Sequence, residues 1–184
     1  MTSTTTEVGP AELDELRQAV LLGPDDLDAL RRSREVLANQ VEDVLDVWYG
    51  FVGSHPFLLE SFARRSDGQP DERYLAAVRQ RFGQWILDTA AAEYDEDWLA
   101  TQLEIGRRHH RSGKNRTDGV DATEHVPLRF VIALVYPITA TLRPFLEKGG
   151  DPPKEVDRMQ DAWRKSVLLQ VALWSRPYAR DGDW

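Results

Sequence analysis

Few residues in this chain could do metal or acid–base chemistry. Its 184 residues include four histidines and no cysteine. Without cysteine there is no disulfide framework, thiolate metal site, iron–sulfur cluster or cysteine nucleophile. The histidines are His55, His109, His110 and His125. None stands in the carboxylate–histidine spacing of a zinc protease. No phosphate loop, dinucleotide glycine pattern or nucleophile elbow occurs, so hydrolytic and nucleotide chemistry has no support. What remains is the adjacent pair His109-His110, near the end of a helix expected to open at Asp95. Histidines at a helix C-terminus are favoured by the macrodipole and need no further role. The alternative is that one imidazole enters the core as an axial ligand to haem iron. That chemistry asks for one strong protein ligand, a flat apolar slot and an open sixth position.

Around the pair runs a basic stretch, Arg107, Arg108, Arg111, Lys114 and Arg116. It reads either as a solvated helix end or as charge compensation for two haem propionates. A nucleic-acid patch is the weakest option. Lys and Arg number 23 against 31 Asp and Glu, a net charge of −8, which disfavours nucleic acid and anionic membrane alike. Trp48-Tyr49 lies on an apolar stripe in mid-helix. Such residues are ordinarily core, but a buried phenol needs a hydrogen-bond partner. Over a metal, that hydroxyl could donate to a bound diatomic ligand.

The elements that must position these residues are helical, since apolar spacing follows the helix period and strand alternation is nearly absent. Pro10 to Leu22 is expected as one short helix. Gly23-Pro24-Asp25 reads as a second helix start, with the pattern running on to about Val52. Phe57 to Phe62 makes a helical turn and Arg65 to Asp71 a loop. A helix from Glu72 to near Ala92 carries Leu75, Val78, Phe82, Trp85 and Ile86. Asp95 is the expected cap of the next, which carries Trp98, Leu99, Leu103 and Ile105 and ends near Arg111. A polar loop from Ser112 to Glu124 precedes two long helices, about Val126 to Glu147 and Pro153 to Ser175. No linker or repeat is visible. The expectation is one all-α domain of about seven or eight helices, with residues 1–22 an N-terminal extension and 23–184 the main domain.

Leu128 to Leu146 is apolar and long enough to be weighed as a membrane span. Arg129, Pro137, Arg143 and Pro144 within it favour a buried helix. The last two helices are apolar nearly all round, which calls for burial on all sides by a subunit interface, an internal ligand or both. Met1 to Val8 lacks the apolar core of a secretory signal. The expected location is the cytoplasm, with no membrane or nucleic-acid partner.

Five segments carry a likeness to a known family: DVWYGFVGSHP (Asp46 to Pro56), YLAAVRQRFGQWILDT (Tyr74 to Thr89), IGRRHHRSGKN (Ile105 to Asn115), YPITATLRPFL (Tyr136 to Leu146) and LQVALWSRPY (Leu169 to Tyr178). In this order and with these gaps, the chain resembles the protoglobins, single-domain relatives of globin-coupled sensors. The resemblance implies a globin fold with an extra N-terminal helix and one haem b. It also implies reversible binding of O2, CO and NO at a five-coordinate ferrous iron, and a homodimer built from the last two helices. Periodicity alone does not choose between the histidines. His110 continues the stripe of Leu99, Leu103 and Gly106, whereas His109 stands one turn past Ile105, which would pack beneath the haem. The resemblance assigns the metal to His109. It places Trp48, Tyr49, Val78, Phe82, Leu134 and Ile138 at the distal pocket and Arg81 opposite a haem propionate. Leu134 departs from the family, whose members carry Phe there, and should widen access to the pocket.

Three functions compete on this reading. The first is a gas sensor or carrier, with no transmitter domain expected and any signal passed to a separate partner. The second is an enzyme at the same iron: NO dioxygenase, nitrite reductase, peroxidase-like or carbene-transfer chemistry. Peroxidase activity lacks a distal His or Arg pair. The third is a haem-free interaction module, which the survival of His109 and Phe82 disfavours. The dimer is expected to bury a strip of about 800 Å² per partner, with Leu169 or Leu173 central if either faces the partner.

Overall fold

The structure, a computed structural model, describes residues 8–184. Where its helices start is set by proline, glycine and carboxylate chemistry. Pro10 and Pro24 each occupy a first helical position, where a missing N–H costs nothing. Behind them the Gly9 N–H donates to Glu12 at 2.9 Å and the Gly23 N–H to Asp26 at 2.8 Å. These open α1 (Pro10–Ala19) and α2 (Pro24–Leu37). The run expected from Pro24 to Val52 is two helices, not one, with α3 spanning Val41–Gly53. At the corner the Gln40 side chain donates to the Val36 carbonyl at 2.7 Å and to the Phe145 carbonyl at 3.2 Å. A side-chain amide thereby replaces a backbone partner and lets the chain turn.

After α4 (Pro56–Leu59) and a 3-10 turn at Glu60–Phe62, α5 (Glu72–Ala91) begins where Asp71 accepts the Tyr74 N–H at 3.0 Å. Asp95 caps α6 (Glu96–His109) as expected, accepting the Trp98 N–H at 2.8 Å. The helix ends at His109, short of Arg111. The next expected helix, Val126 to Glu147, is broken at Leu134 into α7 (Leu128–Ala133) and α8 (Val135–Glu147). Pro137 has no N–H to offer the Ala133 carbonyl, so the ladder fails there. α9 runs over Pro153–Ser175, as read from the sequence. Among the described residues these nine α-helices are joined by 3-10 turns and loops, and the only extended pairings are isolated bridges, Ala63 with Pro70 and Arg64 with Ala122.

α9 is the central helix, packed against α8, α2 and α6. Its Trp163, Val167, Leu169 and Leu173 are fully buried. Leu169 and Leu173 therefore belong to the interior of the subunit and face no partner. α9 is largely hidden within the subunit, while α7 and α8 keep large apolar side chains exposed, which the expected subunit contact would have to cover. Ile132 is 54% exposed and Tyr136 74%, and Leu168 on α9 is 49% exposed. Leu128–Glu147 is long and apolar enough to cross a membrane by length and composition, with 28% of its most apolar stretch buried. α1 packs on α6 and α9 with Leu13 in the core. Residues 1–7 of the expected extension lie outside the described residues.

Candidate functional site

The site is built from the end of α6. A Cβ at Gly106 would stand 2.9 Å from the Trp174 Cα, so glycine lets α6 and α9 meet backbone to backbone. One turn further on, the His109 ring lies nearly parallel to the Trp174 ring, with centroids 5.4 Å apart and planes 12° from parallel. On its other side, His109 Nδ1 sits 2.8 Å from the Ile105 carbonyl oxygen. A carbonyl only accepts, so Nδ1 carries the proton and donates it, and Nε2 keeps its lone pair. Burial pushes the His109 pKa down, which holds the ring neutral. Even so, the residue is not wholly enclosed and keeps some exposed surface. A fixed, neutral imidazole with a free, accessible Nε2 is what a metal ligand needs.

His110 faces the other way. Its Nδ1 accepts the Ser112 N–H at 3.2 Å and lies 3.0 Å from the Ser112 hydroxyl. Its ring meets Tyr178 edge-on at 4.9 Å, and the Tyr178 hydroxyl donates to the Val126 carbonyl at 2.6 Å. The helix ends between the two histidines, and the extended backbone at His110 turns its side chain out of the α6 stripe.

Facing the core are the residues read as distal. Phe82 on α5 meets Trp48 at 5.9 Å and Tyr49 edge-on at 6.4 Å, and it stacks on Trp85 at 5.1 Å. Leu134 and Ile138 pack with Phe82 and Tyr49 against Trp48, Val52 and Leu58. Ile105 packs on the main core, as do Tyr49, Phe82 and Ile138. Val78, one turn before Phe82, is half-buried and stands outside both clusters. The Tyr49 hydroxyl makes no hydrogen bond among the described residues, and desolvation pushes its pKa well above the phenol range. It is a donor without a protein acceptor, set beside Phe82 with the Arg79 guanidinium over its ring at 5.7 Å.

The cations are distributed differently from the sequence pattern. Arg81 is engaged at two points by Asp118, at 2.8 and 2.7 Å. Arg107 and Arg108 pair with Glu104 on their own helix, and Arg111 and Arg116 are exposed. Lys114 turns inward instead. It is 2% exposed, and its Nζ donates to the carbonyls of Ser61 at 2.8 Å and Thr123 at 2.6 Å. Desolvation lowers its pKa to about 8. The basic run is thus one buried amine, two intrahelical pairs and a solvated remainder.

A protoglobin family model matches residues 10–184. The chain belongs to the protoglobin family. Membership implies a haem-binding globin. The fold of this protoglobin is shared with the globin domain of a Geobacter sulfurreducens globin-coupled sensor, at a TM-score of 0.68 and 16% identity, over 91% of this chain and 97% of that one. No curated protein matches the chain. The residues of this protoglobin fit a haem. The donor set is a single neutral imidazole with Nε2 free, and Tyr49, Val78, Phe82, Ile105, Leu134 and Ile138 are apolar or aromatic and not fully buried. The Asp118 carboxylate on Arg81 marks that guanidinium as able to grip a carboxylate such as a propionate.

Sequence reasoning missed Gly106, Asp118, the placement of Trp174 and Gln102, whose Oε1 accepts the Trp174 Nε1–H at 2.9 Å. Gly106 lay on the α6 stripe and was legible as a close-approach position. The others act through neighbours distant in the chain and left no local signal.

Proposed function

We propose that this protoglobin binds one haem b through His109 Nε2 as the sole protein ligand and carries a diatomic gas, O2, CO or NO, on the open side, as a sensor or carrier. Haem, when bound, supplies an iron centre that takes such gases reversibly. The observation that carries the reading is the hydrogen bond from His109 Nδ1 to the Ile105 carbonyl, which leaves Nε2 unprotonated and aimed away from the helix. The remaining residues then have plain tasks. Trp174 fixes the plane of the His109 ring. Ile105, Val78, Phe82, Leu134 and Ile138 keep the slot apolar. Tyr49 offers a hydroxyl with no competing acceptor, and Arg81 offers a guanidinium to a carboxylate. The unit acts as a cytoplasmic homodimer, with residues 1–22 an extension on a globin domain of residues 23–184. Its contact surface is the open face of α7, α8 and Leu168.

Absorption spectra of the ferrous protein, with and without O2, CO and NO, test the reading. The expected result is a five-coordinate spectrum that shifts with each gas. It should be lost in His109→Ala and kept in His110→Ala. Loss in His110→Ala with retention in His109→Ala would move the ligand to His110.

A further inference from the structure

We propose that Trp174 is the electron donor that answers a hydroperoxide at the haem, with Trp85 and Trp163 extending the path into the protein. The proposal rests on the reading of His109 as the haem ligand. Its grounds are geometric. Trp174 lies 12° from parallel to the His109 ring with 5.4 Å between centroids, so it is the aromatic neighbour of the proposed ligand itself. Trp85 is 6.0 Å from Trp174, and Trp163 is 6.0 Å from Trp85. All three are buried. Three indoles within ring-contact distance, starting on the ligand, form a continuous path for an electron.

The hydrogen bonds of these indoles fit the same role. Trp174 Nε1 donates to Gln102 Oε1 at 2.9 Å, Trp85 Nε1 to Gln170 Oε1, and Trp163 Nε1 to the Ser33 hydroxyl at 2.9 Å. Every acceptor is neutral. An amide or hydroxyl oxygen stabilises positive charge on the ring but is too weak a base to take the N–H proton. An oxidised Trp174 would remain a radical cation with its proton in place, and the charge could move on to Trp85. Tyr49 is the competing donor. Its hydroxyl has no hydrogen-bond acceptor among the described residues, so losing an electron there would leave its phenolic proton without a base.

The step balances as follows. A ferric haem held by His109 would supply the place where the O–O bond of hydrogen peroxide is cleaved and one of the two electrons that cleavage takes. The Trp174 ring would supply the other and become the radical cation. One peroxide oxygen would leave as water with both protons, and the other would be left as oxide.

The test uses the haem-loaded ferric protein mixed with hydrogen peroxide and frozen for electron paramagnetic resonance, with ring-deuterated tryptophan to identify the radical. Peptide mapping then locates oxidised tryptophan. The expected result is a tryptophan radical whose spectrum changes on deuteration, with oxidation at Trp174 ahead of Trp85 and Trp163. Most of that signal should be lost in Trp174→Phe at unchanged haem content. Should that variant bind less haem, Gln102→Leu serves in its place. It keeps every indole but removes the acceptor, and should lower the radical yield and shift oxidation away from Trp174. A radical on tyrosine with Trp174 unmodified, in protein whose Soret band shows haem in place, overturns the proposal and leaves the haem reading standing. Failure to take up haem overturns both.

Discussion

Arg81 on α5 and Asp118 in the loop after α6 form a two-point ion pair, at 2.8 and 2.7 Å, that joins the distal helix to the segment following His109. Asp118 is well covered, its side chain 13% exposed, while Arg81 remains 34% exposed. The guanidinium therefore has two possible uses: holding the loop and gripping a haem carboxylate. Arg81→Met removes both and should speed haem loss by up to about fivefold, the range of a partly screened ion pair. Asp118→Asn removes only the loop contact and should leave haem loss near that of the unmodified protein. Haem transfer to an excess of apomyoglobin measures both, and equal acceleration in the two variants would show that Arg81 acts through the loop alone.

Tyr49 bears on ligand choice. O2 on ferrous haem draws electron density outward and its far atom becomes partly negative, whereas CO stays nearly neutral. A phenol donor with no other acceptor should favour O2. A neutral hydrogen bond contributes about 0.5–1.5 kcal/mol net, and about 1.4 kcal/mol is tenfold in affinity. Tyr49→Phe should therefore quicken O2 dissociation by up to about tenfold while CO dissociation barely changes. Stopped-flow measurement of both gases decides it, since equal shifts would mean that Tyr49 only packs the pocket.

The subunit contact can be tested on the open face. Leu168, Ile132 and Tyr136 are large, exposed and apolar, and each stands on a helix of the proposed dimer contact. Leu168→Glu should yield monomers with an unchanged helical circular dichroism spectrum. Leu169→Glu should instead unfold the subunit, because Leu169 is fully buried and a charge there has no partner. Sedimentation velocity at micromolar concentration separates the cases, and a monomeric unmodified protein would refute the dimer.

Lys114 makes stability depend on alkaline pH. Unfolded, its amine holds a proton up to its ordinary value of 10.5, and folded only up to about 8. Between these the unfolded state binds more protons, so stability rises with pH, by at most about 1.4 kcal/mol per pH unit. Below pH 8 the burden of the buried charge is present in full. Urea unfolding from pH 7 to 10.5 should show this rise in the unmodified protein and not in Lys114→Met. Parallel pH profiles would show that the amine titrates normally.

How much of this was legible in the chain can be judged residue by residue. Local chemistry was enough for the class and most boundaries. Asp95, Gly23-Pro24 and Pro153 start helices through hydrogen bonds and dihedrals confined to a few residues, and a period of 3.6 needs no distant partner to be read. The same is true of the family likeness, carried by contiguous segments from Asp46 to Tyr178. Two boundaries misled because the deciding contact was remote or masked by apolarity. Gln40 turns the chain partly by reaching Phe145, and Pro137 breaks a run whose composition reads as continuous.

At the site the division is sharper. Periodicity narrowed the ligand to an adjacent pair but could not choose, since neighbours on a helix end differ by only one step of rotation; the family resemblance alone favoured His109. Which imidazole turns inward was decided where α6 meets α9. Gly106 lets the backbones touch, Trp174 forms the wall that His109 lies against, and the helix stops before His110. The two use sets for positive charge were likewise undetermined by sequence. Lys114 looked like its basic neighbours, yet it is buried against Ser61 and Thr123, while Arg81 is held by a carboxylate 37 positions away. A residue's type and its helical face are local properties. Its partners across the core are set only when the helices pack.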